Sequence, residues 1–499
     1  MTDSFRKVLV ANRGEIAVRV ARTCRVMGIA TVAVYSEADA DALHVRAMDE
    51  AVAIGPAEAA RSYLDVERLV AAARGAGADA VHPGYGFLSQ NGDFAEAVAR
   101  AGLTFIGPPA EVHRRMGDKQ AARQLMARAG VPVVPGYDGD DQADEALRAQ
   151  AERIGWPVLI KPARGGGGKG MRAVRAAAEF LPELAASRRE ARAAFGDDRV
   201  VLERFVDRPR HVEVQVLGDG AGTLLHLFER ECSIQRRHQK VVEETPSPAL
   251  DVSSRARLCA AGVQAARAAG YVNAGTVEFL LAPDGSFYFL EMNTRLQVEH
   301  PVTEAVTGLD LVRLQIEIAG GRALPFSQEE VRPRGHALEC RLYAEDPARD
   351  DLPSPGRILH LSAPEGPGIR FDSGVEAGSE VTIHYDPLLA KLVTWGADRE
   401  ESIARMAAAL AQTAVLGVAT NQGRLRAVVA HPAFRAGAMH TGFLDEHLAE
   451  MPLAVCPPAE AVAAAMTALY RRPAAAPGGP RRAPDPWTAL GAWRLGEDG

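Results

Sequence analysis

The chain has 499 residues, 57 lysines and arginines against 64 aspartates and glutamates, a formal charge of −7, and a 47% hydrophobic content. This is a globular composition with room for about three or four domains, and the acidic balance excludes a nucleic acid or an anionic membrane surface as the main partner. The five cysteines are scattered and never form Cys-x-x-Cys, no apolar run approaches a membrane span, and no signal core follows Lys7, so a reducing, cytoplasmic setting is expected.

In chain order, residues 8–10 read as a buried strand, 12–28 as a helix and 31–35 as the next strand, and the alternation continues through 80–82 and 104–106. This start predicts a Rossmann-like domain over 1–117. Gly-x-Gly-x-x-Gly is absent, so no NAD site is expected. Residues 118–204 open with a helix and then place a glycine run, Gly165, Gly166, Gly167 and Gly168, between two strand-like segments, which predicts a movable hairpin lid. Residues 205–448 are rich in alternating strands, such as 211–216 and 336–341, and predict an α+β domain. From 449 to 499 alanine, proline and arginine dominate, the pattern of an exposed linker.

Four features carry chemistry. Only six lysines occur, Lys7, Lys119, Lys161, Lys169, Lys240 and Lys391, and arginine supplies every other positive charge. A chain with this bias keeps lysine where a compact ammonium is required. The glycine run followed by Lys169 offers backbone N–H groups and a point charge to polyphosphate, although Gly170 stands where a P-loop has Ser or Thr.

The stretch 276–291 reads as a hairpin around Pro283-Asp284-Gly285. A two-residue loop at Asp284-Gly285 makes Glu278 face Glu291, and alternation continues that face through Asn293 and Arg295. Two bare carboxylates so placed repel by about 3 kcal/mol at a dielectric of ~20, which calls for a divalent cation or a shared proton between them; with the Asn293 amide oxygen the set favours Mg²⁺ or Mn²⁺. Phe287 and Phe289 fall on the same nominal face and suggest that it is covered. Finally, 229–240 interleaves Arg230, Arg236, Arg237, His238 and Lys240 with Glu229 and Glu231, the pattern of anion handling inside a cleft.

These residues together resemble the biotin carboxylase component of acyl-CoA carboxylases, in the ATP-grasp superfamily. The resemblance rests on 11–17 (ANRGEIA), 82–89 (HPGYGFLS), 116–119 (MGDK), the glycine run, 231–244, 291–301 and 339–341 (ECR), and covers about residues 5–448. It implies an ATP-dependent carboxylation of carrier-bound biotin through carboxyphosphate. It also implies ATP contacts from Lys119, Lys161, the four glycines, Glu203, His211, Gln235 and His238, with metal ligation by Glu278, Glu291 and Asn293.

Lys240, Arg295, Gln297 and Val298 match a bicarbonate pocket, Glu299 the base that deprotonates bicarbonate, and Arg341 the group that stabilises the biotin enolate. A base with an ordinary pKa of about 4.3 needs surroundings that raise it. The sequence does not show them. The implied partners are a biotin carboxyl carrier protein or domain, a carboxyltransferase subunit and further copies of the chain.

Met-Lys-Met, the biotinylation site of composite subunits, is absent, so biotin is expected on another polypeptide or a missing portion of this one. The stretch 485–495 resembles the start of a linking domain. In the segment 384–391, Leu388 stands where methionine is frequent, a conservative packing change. The rival reading is another ATP-grasp carboxylate ligase acting through an acyl phosphate, from which only Lys240, Arg295, Glu299 and Arg341 separate this chain.

Overall fold

The computed structural model describes residues 5–163 and 170–451, with 463, 466 and 467. The glycine run, Lys169 and the stretch 485–495 lie outside the described residues. Strands β1 (Lys7–Val10), β2 (Ala30–Ser36), β3 (Glu50–Gly55), β4 (Ala80–His82) and β5 (Thr104–Phe105) form a parallel sheet in the order β3-β2-β1-β4-β5. Val8, Leu9 and Val10 are fully buried, as expected of a parallel strand covered on both faces.

Helix α1 (Gly14–Val26) follows β1. Strand order reverses between β1 and β4, and the loops at their carboxyl ends bound the crevice where open α/β sheets bind ligands. Asn12 ties these loops together: its amide donates to the Pro83 and Tyr85 carbonyls, each at 2.7 Å.

A second, antiparallel sheet comprises β6 (Gly136–Tyr137), β7 (Val158–Pro162), β8 (Arg172–Val174) and β9 (Val200–Arg204), ordered β6-β9-β7-β8. Leu147, Phe180 and Leu184 from two helices pack on its Val158, Ile160 and Leu202. β7 and β8 pair as antiparallel neighbours, the arrangement expected of the arms of the lid hairpin.

The third sheet has eight strands. β10 (Arg210–Gly218), β11 (Leu224–Arg236), β12 (Gln239–Thr245), β13 (Asn273–Leu281), β14 (Phe287–Asn293) and β15 (His336–Tyr343) are joined by Leu388–Gly396 and Ile369–Ser373. Their order is β14-β13-β10-β11-β12-β15, then Leu388–Gly396 and Ile369–Ser373. On β10 the valines 212, 214 and 216 pack with the long helix Val252–Ala269, while His211, Glu213 and Gln215 alternate onto the other face. That polar face is also buried, beneath the helix His300–Thr307 and the loop before it.

The β13–β14 hairpin corrects one expectation and preserves its outcome. The loop is three residues, 283–285: the Ala282 N–H donates to the Ser286 carbonyl at 2.8 Å, and Gly285 takes φ +81°. That conformation suits glycine in a turn of this length. Leu281 therefore faces Phe287 and Phe279 faces Phe289, but the ladder then skips Leu290, so that Glu278 does face Glu291.

Leu290 is a bulge residue, and it reverses which side the following residues point to. Phe287 and Phe289 consequently join Phe279 and Met292 in the core, on the side opposite Glu291. The expectation that they cover the carboxylate face is overturned.

The α1 end of the parallel sheet abuts the edge of the eight-stranded sheet at Gly374, where an added Cβ would sit 2.5 Å from the Glu15 nitrogen and 2.9 Å from the Gly14 carbonyl carbon. Backbone cannot yield as a side chain does. Gly374→Ala is expected to lower stability by about 1–3 kcal/mol, measured by denaturant unfolding.

Candidate active site

The cleft face of the eight-stranded sheet carries a row of charges set by strand register: Glu291 on β14 opposes Glu278 on β13, which opposes Glu213 on β10, which opposes Arg230 on β11. Arg230 is fully buried and spends its guanidinium on Glu213 at 2.6 Å, Gln215 at 2.8 Å, Thr303 at 2.9 Å and Thr276 at 3.1 Å. Lys240, from β12, reaches into the middle of the row. Its ammonium lies 2.5 Å from Glu213, 2.8 Å from Glu278 and 2.7 Å from Glu299.

Glu278 also accepts from Asn293 at 2.8 Å and Gln297 at 3.0 Å, and lies 2.9 Å from His211. Burial opposes its charge, but Lys240 and His211 outweigh burial and hold this carboxyl well below the ordinary range. The expected Glu278–Glu291 repulsion is thus relieved by protein cations without invoking a metal, since Glu291 has Lys119 at 3.6 Å on its own side. The two side chains still present hard oxygen donors from adjacent strands, a donor set that fits Mg²⁺ or Mn²⁺. Asn293 fits less directly, because its carbonyl oxygen accepts from Arg295 at 3.0 Å.

Glu299 is fully buried and forms a second bridge, 2.8 Å from Arg341. Burial again opposes ionisation, and Lys240, Arg341 and Arg230 overcome it, so the carboxyl lies well below its usual range. The surroundings therefore do the reverse of raising this group. The proton affinity sits instead on its neighbours: burial pushes up Glu213, and pushes Glu243, 2.6 Å from Arg341, up to about 7.

Arg295 differs from the other cleft cations. Its guanidinium donates to the Gln297 side chain at 2.6 Å, the Asn293 side chain at 3.0 Å and the Leu296 carbonyl at 3.1 Å, all neutral, and among the described residues it has no carboxylate partner. It lines a cavity of about 470 Å³ with Arg13, Tyr85, Val298, Arg341 and His384. That cavity opens at the crevice of the parallel sheet.

The remaining expected residues divide. Gln235 is buried against His211 at 2.6 Å. Lys161 on β7 pairs with Glu203 on β9, which places both on the lid sheet. His238 is exposed at the β11–β12 turn, with φ +66°. Glu213 was missed, and Arg230 and Glu243, which belong to the charge-rich stretch read as anion handling in a cleft, were given no role of their own. The alternation His211, Glu213, Gln215 held the clue, but such a face ordinarily reads as solvated, and only burial on both sides of β10 changes that reading.

A larger antiparallel sheet with a carboxylate-lined face and a smaller antiparallel sheet are the arrangement expected of the ATP-grasp class. Three family descriptions match in sequence: biotin carboxylase, N-terminal domain, over 4–113; carbamoyl-phosphate synthase L chain, ATP binding domain, over 118–327; and biotin carboxylase C-terminal domain, over 339–446. The chain is 52% identical over 445 residues to the biotin carboxylase of Pseudomonas aeruginosa, covering 89% of this chain and 99% of that one.

It is also 52% identical to the methylcrotonoyl-CoA carboxylase subunit alpha of Rattus norvegicus over 89% of this chain, but spans only 62% of that relative's length. Among solved structures, the biotin carboxylase domain of Hydrogenobacter thermophilus 2-oxoglutarate carboxylase, in complex with MgADP and bicarbonate, is similar at TM-score 0.86 and 45% identity, covering 91% of this chain and 100% of that one. The chain belongs to the biotin carboxylase family. No helix among the described residues is long and apolar enough to cross a membrane.

Glu243 gives this cluster a pH signature. With its pKa raised from 4.5 to about 7 by burial, the folded state keeps a proton that the unfolded state releases, so its contribution to stability is complete below pH 4.5 and is lost as pH rises through about 7. Glu243→Gln is expected to remove that decline from the difference in thermal midpoint measured between pH 4.5 and 8.

Proposed function

We propose that the chain catalyses the MgATP- and bicarbonate-dependent carboxylation of biotin presented by a carrier protein or domain, the first half-reaction of a biotin-dependent carboxylase. The observation that carries this reading is Arg295: a cation held in place by neutral acceptors keeps its charge for an incoming anion. A small anion suits this place, because Val298 and Arg341 line the same cavity and Arg341 in turn holds the buried Glu299 at 2.8 Å. Bicarbonate has that size, and it carries the proton that a carboxylate base would remove.

Glu299 is ionised before substrate arrives, held so by Lys240 and Arg341. An anion bound at Lys240 and Arg295 competes for those positive charges and raises the proton affinity of Glu299 only when there is a proton to take. Arg341, buried and permanently charged, lines the cavity and would stabilise oxyanion charge developing there, and Tyr85, in the same lining, would form part of the wall for a ring system.

Lys119 and Lys161 serve the nucleotide phosphates. Glu278 and Glu291 would hold the divalent cation, which supplies charge neutralisation to those phosphates when bound. A carboxyltransferase partner would then take the carboxyl group from biotin.

Release of ADP that requires bicarbonate and is stimulated by free biotin tests the reading, and turnover indifferent to both overturns it. Glu299→Gln is expected to lower biotin-dependent kcat by roughly 10²–10⁴-fold while nucleotide binding, measured by calorimetry, stays within a few fold. Arg295→Met is expected to raise the KM for bicarbonate by about 10–100-fold in the same assay.

A further inference from the structure

We propose that Lys391 is a positioning residue that sets the Val298–Glu299 peptide by anchoring it to the first turn of α1; this inference rests on the biotin carboxylase reading of the cleft. Lys391 is the one described lysine whose side chain is wholly buried, and it lies in the middle of the strand Leu388–Gly396. Its ammonium donates to the Val298 carbonyl at 2.8 Å, lies 3.1 Å from the Glu15 carboxylate, and stands 6.0 Å from the centre of the Tyr85 ring. The Tyr85 hydroxyl donates to the same Glu15 oxygen. One point charge thus joins the crevice of the parallel sheet to the loop that carries the candidate base.

The Val298 carbonyl and the Glu299 N–H belong to one peptide plane. Fixing that carbonyl fixes the backbone from which the Glu299 side chain leaves, and Glu299 immediately precedes the helix His300–Thr307, so there is little slack on its other side. The charged groups around Lys391 are otherwise engaged or neutral. Arg341, its cross-strand neighbour, pairs with Glu243 and Glu299. Asp372, opposite on the other side, pairs with Arg370 and Arg22.

Burial and the nearby cations push His300 well below its ordinary range, and burial pushes Glu339 well above its own. An arginine could not replace this ammonium on the same stem, because its longer planar fork cannot occupy the single point between Val298 and Glu15. The scarcity of lysine in this chain thereby acquires a reason at a position outside the nucleotide, metal and bicarbonate sets.

The test compares Lys391→Met and Lys391→Arg with the parent chain by bicarbonate-dependent ADP release and by amide hydrogen exchange. Both variants are expected to lose at least tenfold in kcat with the KM for ATP within threefold, and to exchange at least tenfold faster in peptides spanning residues 296–303, while peptides from β10 keep the parent's protection. Lys391→Arg retains the buried charge and serves if Lys391→Met does not fold. Parent-like exchange in 296–303 for a folded variant, or parent-like kcat, overturns the proposal, as does faster exchange spread equally over β10. A parent chain without bicarbonate-dependent turnover defeats the functional reading instead, and the exchange data then judge Lys391 independently.

Discussion

Three carboxylates share one ammonium at the centre of this molecule. Lys240 lies within 2.5–2.8 Å of Glu213, Glu278 and Glu299, which come from two strands and a loop distant in sequence. A buried negative cluster of this kind is tolerated only where cations surround it. Arg230 and Arg341 supply the balance from either side. The arrangement forces the eight-stranded sheet, the helix His300–Thr307 and the β13–β14 hairpin into one register, because a slip in any of them strands a charge.

The same cluster explains how a carboxylate can be a base without being a strong one at rest. Lys240 and Arg341 make Glu299 a poor proton acceptor, and they are also the groups to which an anion would be drawn. Substrate binding and base activation therefore draw on the same two charges. Arg295, tethered through amide groups on Asn293 and Gln297, enters this exchange without having to release a carboxylate first.

Much of this was legible in the sequence. Alternation and turn residues located the strands, and long motifs fixed the family. The Glu278–Glu291 pairing was found through an assumed two-residue loop, whereas the real loop has three residues and the bulge at Leu290 restores the pairing. Local pattern cannot reveal such compensation, since a bulge is one residue with no composition of its own. Glu213 was passed over because an alternating polar face looks solvated until a helix is known to cover it. The state of Glu299 was unreadable for a different reason: its partners Lys240 and Arg341 lie 59 and 42 positions away.

The bulge at Leu290 also divides the hairpin into two mechanical halves. Beyond it, residues 279–289 follow the core through Phe279, Phe287 and Phe289; before it, Glu278 and Glu291 follow the cleft. With register reset at that point, the packing that holds the tip in the core is separated from the pairing that aligns the two acids.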